Sequence, residues 1–440
     1  MRKTQLFILS FLASFCLLAQ EKTTDQSSKV QLTLDEAIGI AMKDNPSLAT
    51  AQARIESAMQ AVRQVKADYY PSLDLHAGYT RLRDTATRPD RDYKNTDKYA
   101  VGAELTYTLF DAFQRRFRLL NAQYNQTSAE EADQDARRLL IQSVSNAFYA
   151  AKLAQDDMEI AKEDANFNKI LLDDAQKRKE GGVLKESDVL NFVLQVQNAE
   201  IDYITAEKNW RAANVVLGAL LAVSRDEIWE HFVLVASTDT HPDHKPFAEL
   251  YEYACQHRPD LRSIEAKIGI AREGIRAAKN TWYPRLDFFA DYELSRKDKI
   301  HFNHHYDRDA SFGVRASWNA FNGFKTQAQI AQAEAELLAS IKERDELLLE
   351  IESELRRDLL TLESSYRQLQ LQETLLNTAR KIRDLVKEEY TEGTATITRL
   401  NEAQTDVNNA SSARSAAFIQ HLNSFEAIKA STAENLEYKK

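Results

Sequence analysis

Four stretches of this chain alternate apolar and polar residues with a period of two, and long helical patterns separate them. The first sets Leu73, Leu75, Ala77 and Tyr79 against Asp74, His76, Gly78 and Thr80. The second sets Tyr99, Val101, Ala103, Leu105, Tyr107 and Leu109 against Gly102, Glu104, Thr106 and Thr108. Leu286, Phe288, Ala290, Tyr292 and Leu294 oppose Asp287, Phe289, Asp291 and Glu293 in the third. The fourth opposes Phe312, Val314, Ala316 and Trp318 to Ser311, Gly313, Arg315, Ser317 and Asn319. Such alternation predicts strands with one greasy and one polar face. Residues 113–179 and 325–392 hold no proline or glycine. In the second of these, Leu348, Ile351, Leu355, Leu359, Leu362, Tyr366 and Leu369 step by three and four, as a coiled-coil seam does. In the first, alanine dominates the corresponding face, which permits close helix approach. A helix of about 67 residues spans about 100 Å, more than a compact domain needs.

The pattern occurs twice. Asn45-Pro46 falls on Arg258-Pro259 and Tyr69-Tyr70-Pro71 on Trp282-Tyr283-Pro284, both displaced by 213 residues (46 to 259, 71 to 284). Phe110-Asp111-Ala112-Phe113 falls on Phe321-Asn322-Gly323-Phe324 and Gly182 on Gly393, displaced by 211 (110 to 321, 182 to 393). The first copy opens with a capping box, Thr33 to Glu36. The second places Pro246 where the first helical residue falls. Pro46 and Pro259 make each opening helix kink or restart, and Pro71 and Pro284 stop it. Asp111 and Asn322 are the expected caps of the long helices. Gly181-Gly182 and Gly393 end them, where the chain takes a left-handed turn and returns through helices over roughly 187–221 and 397–430. The expected division is a leader over 1–19, a first repeat over 20–222, a linker over 223–245, a second repeat over 246–430 and a tail over 431–440.

With 11 Gly and 7 Pro in 440 residues, composition agrees with a mainly helical chain. The net charge of −10 is spread along the chain without a basic face, which argues against a nucleic-acid partner. Mean hydropathy is −0.51, and no long apolar run follows the first twenty residues, so any membrane insertion must use strands. Arg2, Lys3 and the apolar residues 6–18 read as an export leader. Two processing routes stand: cleavage after Ala19, or a lipid anchor on Cys16, although Phe15 before it is bulkier than a lipidation site accepts. With Cys16 removed, Cys255 is the remaining cysteine and no intrachain disulfide forms.

Two hairpins in a soluble sheet would explain isolated strands of this kind. Three features favour a membrane instead. Tyr69, Tyr70, Trp282, Tyr283, Phe110 and Phe321 crowd one end of the strands, together with Phe113 and Phe324, as an interfacial girdle does. The hairpin loops, roughly 81–98 and 295–309, are long and polar, and the leader exports the chain. Four strands cannot close a barrel, and an open edge in lipid costs several kcal/mol for each unpaired backbone group. Two or three chains must combine into eight or twelve strands. An eight-strand barrel is filled by its own side chains. Asp74, Glu104, Asp287, Asp291, Glu293 and Arg315 call for a wet lumen, which favours the trimer.

Leu34-Asp35-Glu36-Ala37, Asn45-Pro46, the aromatic-Pro approach to each first strand, Phe110-Asp111, Phe321-Asn322-Gly323, and Gly393 followed by Leu400 and Ala403-Gln404 resemble the outer-membrane efflux (TolC-like) family, over essentially the whole mature chain. The resemblance implies a homotrimer with one twelve-stranded membrane β-barrel and a periplasmic α-barrel of long antiparallel helical hairpins. It implies the exit duct of a tripartite efflux pump or type I secretion system in the outer membrane, in contact with its lipid. The tip, here Gly181, Gly182, Val183, Gly393 and Thr394, would meet a periplasmic adaptor (membrane-fusion) protein, and through it an inner-membrane pump of RND or ABC type. Family members often narrow the tip with acidic residues six and nine positions after the second tip glycine. Arg399 and Glu402 occupy those positions here, a departure from a simple carboxylate ring.

No cofactor, metal site or catalytic group is expected. His301, His304 and His305 near Asp307 read as a polar loop. Phosphate-cradling glycine loops, GxSxG and HExxH are absent from the sequence. An exported coiled-coil scaffold or adhesin without a pore is the alternative, and it leaves the strands and the duplication unexplained.

Overall fold

The computed structural model describes residues 30–84, 94–222, 232–237, 245–297 and 307–437. The leader with Cys16, the inner parts of both hairpin loops with His301, His304 and His305, and most of the linker lie outside the described residues. Helices α1 (Leu34–Asp44) and α2 (Pro46–Ala67) lead into strands β2 (Ser72–Asp84) and β3 (Lys94–Phe110), followed by α3 (Gln114–Glu180) and α4 (Glu186–Leu221). The second copy repeats this as α5 (Phe247–His257), α6 (Pro259–Asn280), β5 (Arg285–Lys297), β6 (Asp307–Ser317), α7 (Lys325–Thr391) and α8 (Ile397–Thr432). Two short strands, β1 (Val30–Thr33) and β4 (Phe232–Val235), precede the copies and pair in parallel. A 3-10 turn over Glu434–Glu437 follows α8. None of the described helices is long and apolar enough to cross a membrane. Cys255 is a free thiol.

Local chemistry accounts for most boundaries. The Glu36 amide donates to Thr33 Oγ1 (3.4 Å) and the Thr33 amide to Glu36 Oε2 (2.9 Å), so the capping box forms. Pro46 and Pro259 each begin a new helix at its first position, where the missing N–H has no partner to lose. Asn45 caps α2 by accepting from the Ser47 amide at 2.9 Å. Pro246 differs from expectation by one residue: it caps α5, and Phe247 is the first helical residue.

The starts of the long helices also depart from expectation. Phe113 and Phe324, not Asp111 and Asn322, stand at the helix caps, both in the left-handed region (φ 63° and 65°). Asp111 still serves from two residues upstream, accepting from the Arg115 amide at 2.8 Å. The extra two residues turn the chain sharply from sheet to helix. Phe113 and Phe324 pack edge-on against Phe110 and Phe321, each with centroids 5.7 Å apart.

The duplication extends to single hydrogen bonds. Asn45 Nδ2 donates to the Leu220 carbonyl (2.8 Å), and Arg258 Nη1, its counterpart, donates to the Ser431 carbonyl (3.0 Å). Each bond ties the break in an opening helix to the far end of that copy's returning helix.

In the lower wall α3 packs on α4 and α8, and α8 on α7, so the helices run in the order α4, α3, α8, α7. Ile351, Leu355, Leu362 and Leu369 of the expected seam are buried. The α3 interior is not alanine alone: Val144, Phe148 and Leu171 join Ala151 and Ala175 there. One apolar cluster, including Ile141, Val144, Phe148, Leu217 and Leu234, lies beside the β1–β4 pair. Another, including Leu171, Phe192, Val386, Tyr390 and Leu400, packs the helices together near the far turns.

Candidate functional site

The sheet runs β2-β3-β5-β6, antiparallel throughout. Strand pairing fixes which side chains share a level, because every second residue points to the same face. Asp74, Glu104 and Asp291 stand side by side on β2, β3 and β5. The next level outward carries His76, Gly102, Glu293 and Asp309. Asp287 and Arg315 pair directly on β5 and β6. All six residues expected to line a lumen therefore share one face. Glu293 accepts from Lys98 Nζ at 2.9 Å, and Asp287 from Arg285 Nε at 2.8 Å.

Two strand glycines on that face make room for rings. A Cβ on Gly102 would lie 2.6 Å from the His76 imidazole, so that ring lies across the bare backbone. Gly313 does the same for the Phe289 ring at 3.2 Å, with the Arg315 guanidinium 4.9 Å from the ring centroid. The glycines are displaced by 211 residues (102 to 313) and the rings by 213 (76 to 289), so the device is duplicated with the rest. The opposite face carries Leu73, Leu75, Val101, Phe312 and Val314, all exposed within the chain.

At the helix-proximal end of the sheet, Tyr70, Tyr283, Phe321 and Phe324 are exposed. Tyr69 lies under the Arg115 guanidinium (5.0 Å), and Trp318 Nε1 donates to the Trp282 carbonyl (3.0 Å). Phe110 ends β3 at the same level. The residues expected to form an interfacial girdle thus share the helix-proximal end of the sheet.

At the other end of the molecule both long helices finish in the same turn. Gly182 and Gly393 have φ of 76° and 81°, which an L side chain rarely adopts. Gly182 N donates to the Lys179 carbonyl and Val183 N to Arg178 (both 2.9 Å), and Gly393 and Thr394 repeat this with Tyr390 and Glu389. These paired bonds are a Schellman turn. Gly181 itself is right-handed, so one glycine of the pair makes the turn. Arg178 lies 5.2 Å from the Tyr390 ring centroid, and Phe192 meets that ring edge-on, so the two hairpins are pinned together just above their turns. Arg399 reaches back to Glu389 across its own turn (3.4 Å). Glu402 is exposed and lines a groove with Asn191 and Gln195 of α4.

The structure adds a feature that the sequence reading missed. Leu338, Leu349, Leu360, Leu371 and Ile382 recur every 11 residues along α7 and are each at least half exposed. On α4, Leu190 and Ile201, and Ile204 and Val215, repeat the same spacing and are exposed as well. α4 and α7 are the two outer helices of the wall, so both of its edges are apolar. The 11-residue period was legible, but the buried seam on the same helix masked it.

The profile of the Outer membrane efflux protein family matches residues 37–223 and 250–434. The chain belongs to that family, which is one of channels rather than enzymes, and its place is the outer membrane with the helices extending into the periplasm. It is 24% identical over 322 residues to Protein CyaE of Bordetella pertussis, covering 72% of this chain and 65% of that protein, just under two thirds of the relative's length. Outer membrane protein TolC of Vibrio cholerae is 22% identical over 405 residues, 86% of each chain. The fold matches the Campylobacter jejuni CmeC outer membrane channel with a TM-score of 0.79 at 16% identity, covering 96% of this chain and 91% of that one.

Proposed function

We propose that three copies of this chain close a single twelve-stranded barrel and helical tube, which serves as the outer-membrane exit duct of a tripartite efflux or type I secretion system. The unmatched edges carry this reading. Within the chain β2 and β6 each pair on one side, and α4 and α7 each present an apolar stripe to the outside. An open sheet edge is excluded from lipid, and copies joined edge to edge satisfy sheet and helices at once. The charged face with Asp74, Glu104, Asp287, Asp291, Glu293 and Arg315 turns inward to a wet lumen, and the apolar face meets lipid. Substrates, small molecules or polypeptides, pass between the hairpins. The turns at Gly181, Gly182, Val183, Gly393 and Thr394 engage a periplasmic adaptor, itself coupled to an RND or ABC pump in the inner membrane.

Purified in detergent, the protein is expected to have a protein mass near three times that of one chain and to conduct in planar bilayers. A water-soluble monomer without surfactant removes the reading. Arg399 and Glu402 stand where the duct would be narrowest. The double variant Arg399→Ala/Glu402→Ala is expected to raise single-channel conductance about twofold or more, since it removes the Arg399–Glu389 brace and two charged side chains per copy. Unchanged conductance discards the gating role and leaves the duct intact.

A further inference from the structure

The apolar face of the sheet changes character at its loop-proximal end. From the level of Phe110, Leu286 and Ala316 to the level of Ala77, Val101 and Leu294, the facing side chains of β2, β3 and β5 are all uncharged. Arg308 pairs with Leu294, Arg296 with Tyr99, and Arg81 with Asp97, and the strand alternation turns all three arginines to the apolar face. Arg81 and Arg308 are exposed. Tyr79 and Tyr99 sit among them, with ring centroids 5.1 Å apart. Among the described residues the belt holds the carboxylate of Asp97, which accepts from the Tyr79 hydroxyl (2.9 Å) and lies 3.5 Å from Arg81 Nε.

The height of this belt is set by geometry. Ten residues separate Leu286 from Arg296, about 33 Å along a strand, and about 25 Å across the membrane once strands tilt by about 40°. That is the thickness of the apolar band of an outer-membrane barrel. The guanidinium groups therefore stand at the outer boundary of the hydrocarbon, with Arg308, two residues deeper, able to reach it by extending its stem. The opposite boundary carries aromatic rings instead. A planar fork of N–H donors suits phosphate oxygens, which it grips two at a time.

We propose that Arg81, Arg296 and Arg308 form a belt that binds phosphate-bearing lipid headgroups of the outer leaflet. This rests on the reading that the apolar face meets lipid, with which the belt is continuous. Three guanidinium groups at the loop-proximal rim of one face supply the charge complementarity, and three copies of the chain repeat the belt around the barrel.

The test titrates the detergent-solubilised full-length protein with fluorescent lipid A carrying both phosphates, and with the same lipid after dephosphorylation. Wild type is expected to prefer the phosphorylated lipid. Arg81→Gln/Arg296→Gln/Arg308→Gln should weaken that binding at least tenfold, and Asp97→Asn should tighten it two- to fivefold, so a folding failure in the triple variant still leaves a reading. Low-millimolar inorganic phosphate should not displace the lipid. Equal affinity for both lipids, unchanged binding in both variants, or displacement by inorganic phosphate overturns the proposal. Flotation with plain phosphatidylcholine vesicles separates the two claims. If wild type stays out of the vesicles, the lipid-facing sheet itself is wrong. If both wild type and the triple variant float but bind lipid A equally, only the arginine belt falls.

Discussion

The triple substitution Leu349→Glu/Leu360→Glu/Leu371→Glu on α7 is expected to abolish assembly, leaving single chains in detergent with helical content intact. Leu349 and Leu360 are each 67% exposed and Leu371 66% exposed in the isolated chain, and none belongs to the buried seam. Covering one such leucine contributes about 1.5–3 kcal/mol, and forcing a carboxylate into the same contact costs several kcal/mol more. In the proposed trimer the three changes recur at every junction between copies, and together they outweigh the burial such an interface gains. The 11-residue period matters here. It corresponds to about 3.67 residues per turn, so the stripe drifts slowly around the helix and can follow a neighbour for most of a ~100 Å length. A control separates assembly from folding: Leu355→Glu strikes a side chain with no exposed surface and should unfold the α7–α8 hairpin itself. Size-exclusion chromatography with light scattering, paired with circular dichroism, reads both. An intact trimer from the triple variant would move the interface elsewhere.

What the sequence disclosed, and what it hid, follows from the range of the forces involved. Alternation at 73–80 and 99–109, the proline restarts at 46 and 259, and the glycine turns at 182 and 393 are local decisions, and each could be read from a few neighbouring residues. The strands β1 and β4 were missed because each has four residues and finds its partner some 200 positions away. The left-handed residues before the long helices were missed for a different reason. Copy two has Gly323 at φ 65°, an ordinary sign of such a turn, whereas copy one has Ala112 at φ 56°. A left-handed alanine costs about 1–2 kcal/mol, and the Asn280 side-chain amide, donating to the Ala112 carbonyl at 3.1 Å, helps hold it there. The α7 stripe was hidden by competition, since a sequence shows that a helix has apolar faces without showing which one its own chain covers. The lumen residues needed the strand register before Asp74, Glu104 and Asp291 could be placed on one level.

Arg258 is where the two copies differ most in the strength of the same joint. Asn45 holds its joint with one amide bond to a carbonyl. Arg258, 4% exposed, grips Asp260 with two nitrogens (3.1 and 2.7 Å), Glu354 with a third bond (2.7 Å), and the Ser431 carbonyl as well. Arg138 adds a second guanidinium 3.9 Å from Asp260 and donates to the Ala430 carbonyl at 2.9 Å. Burial by itself would raise the Asp260 pKa, but the Arg258 guanidinium outweighs it and holds the carboxyl below its ordinary range. The sign follows: a depressed carboxyl contributes stability above its unfolded value of about 3.9 and loses it as pH falls through the folded value. Arg258→Ala removes the cation and leaves two carboxylates part-buried beside an unmatched carbonyl, a change that costs about 3–5 kcal/mol. Asn45→Ala should cost only about 1–2 kcal/mol, the worth of a helix cap and one amide bond. Arg258→Ala removes the strongest of the influences that lower the Asp260 pKa, so its proton uptake, and with it acid unfolding, should begin at higher pH than in wild type. Thermal melts of both variants in the same detergent and at equal protein concentration, at pH 7 and through the acid range, test the ranking. If Arg258→Ala melts no lower than Asn45→Ala, the network around Arg258 does not clamp the second hairpin to its opening helices.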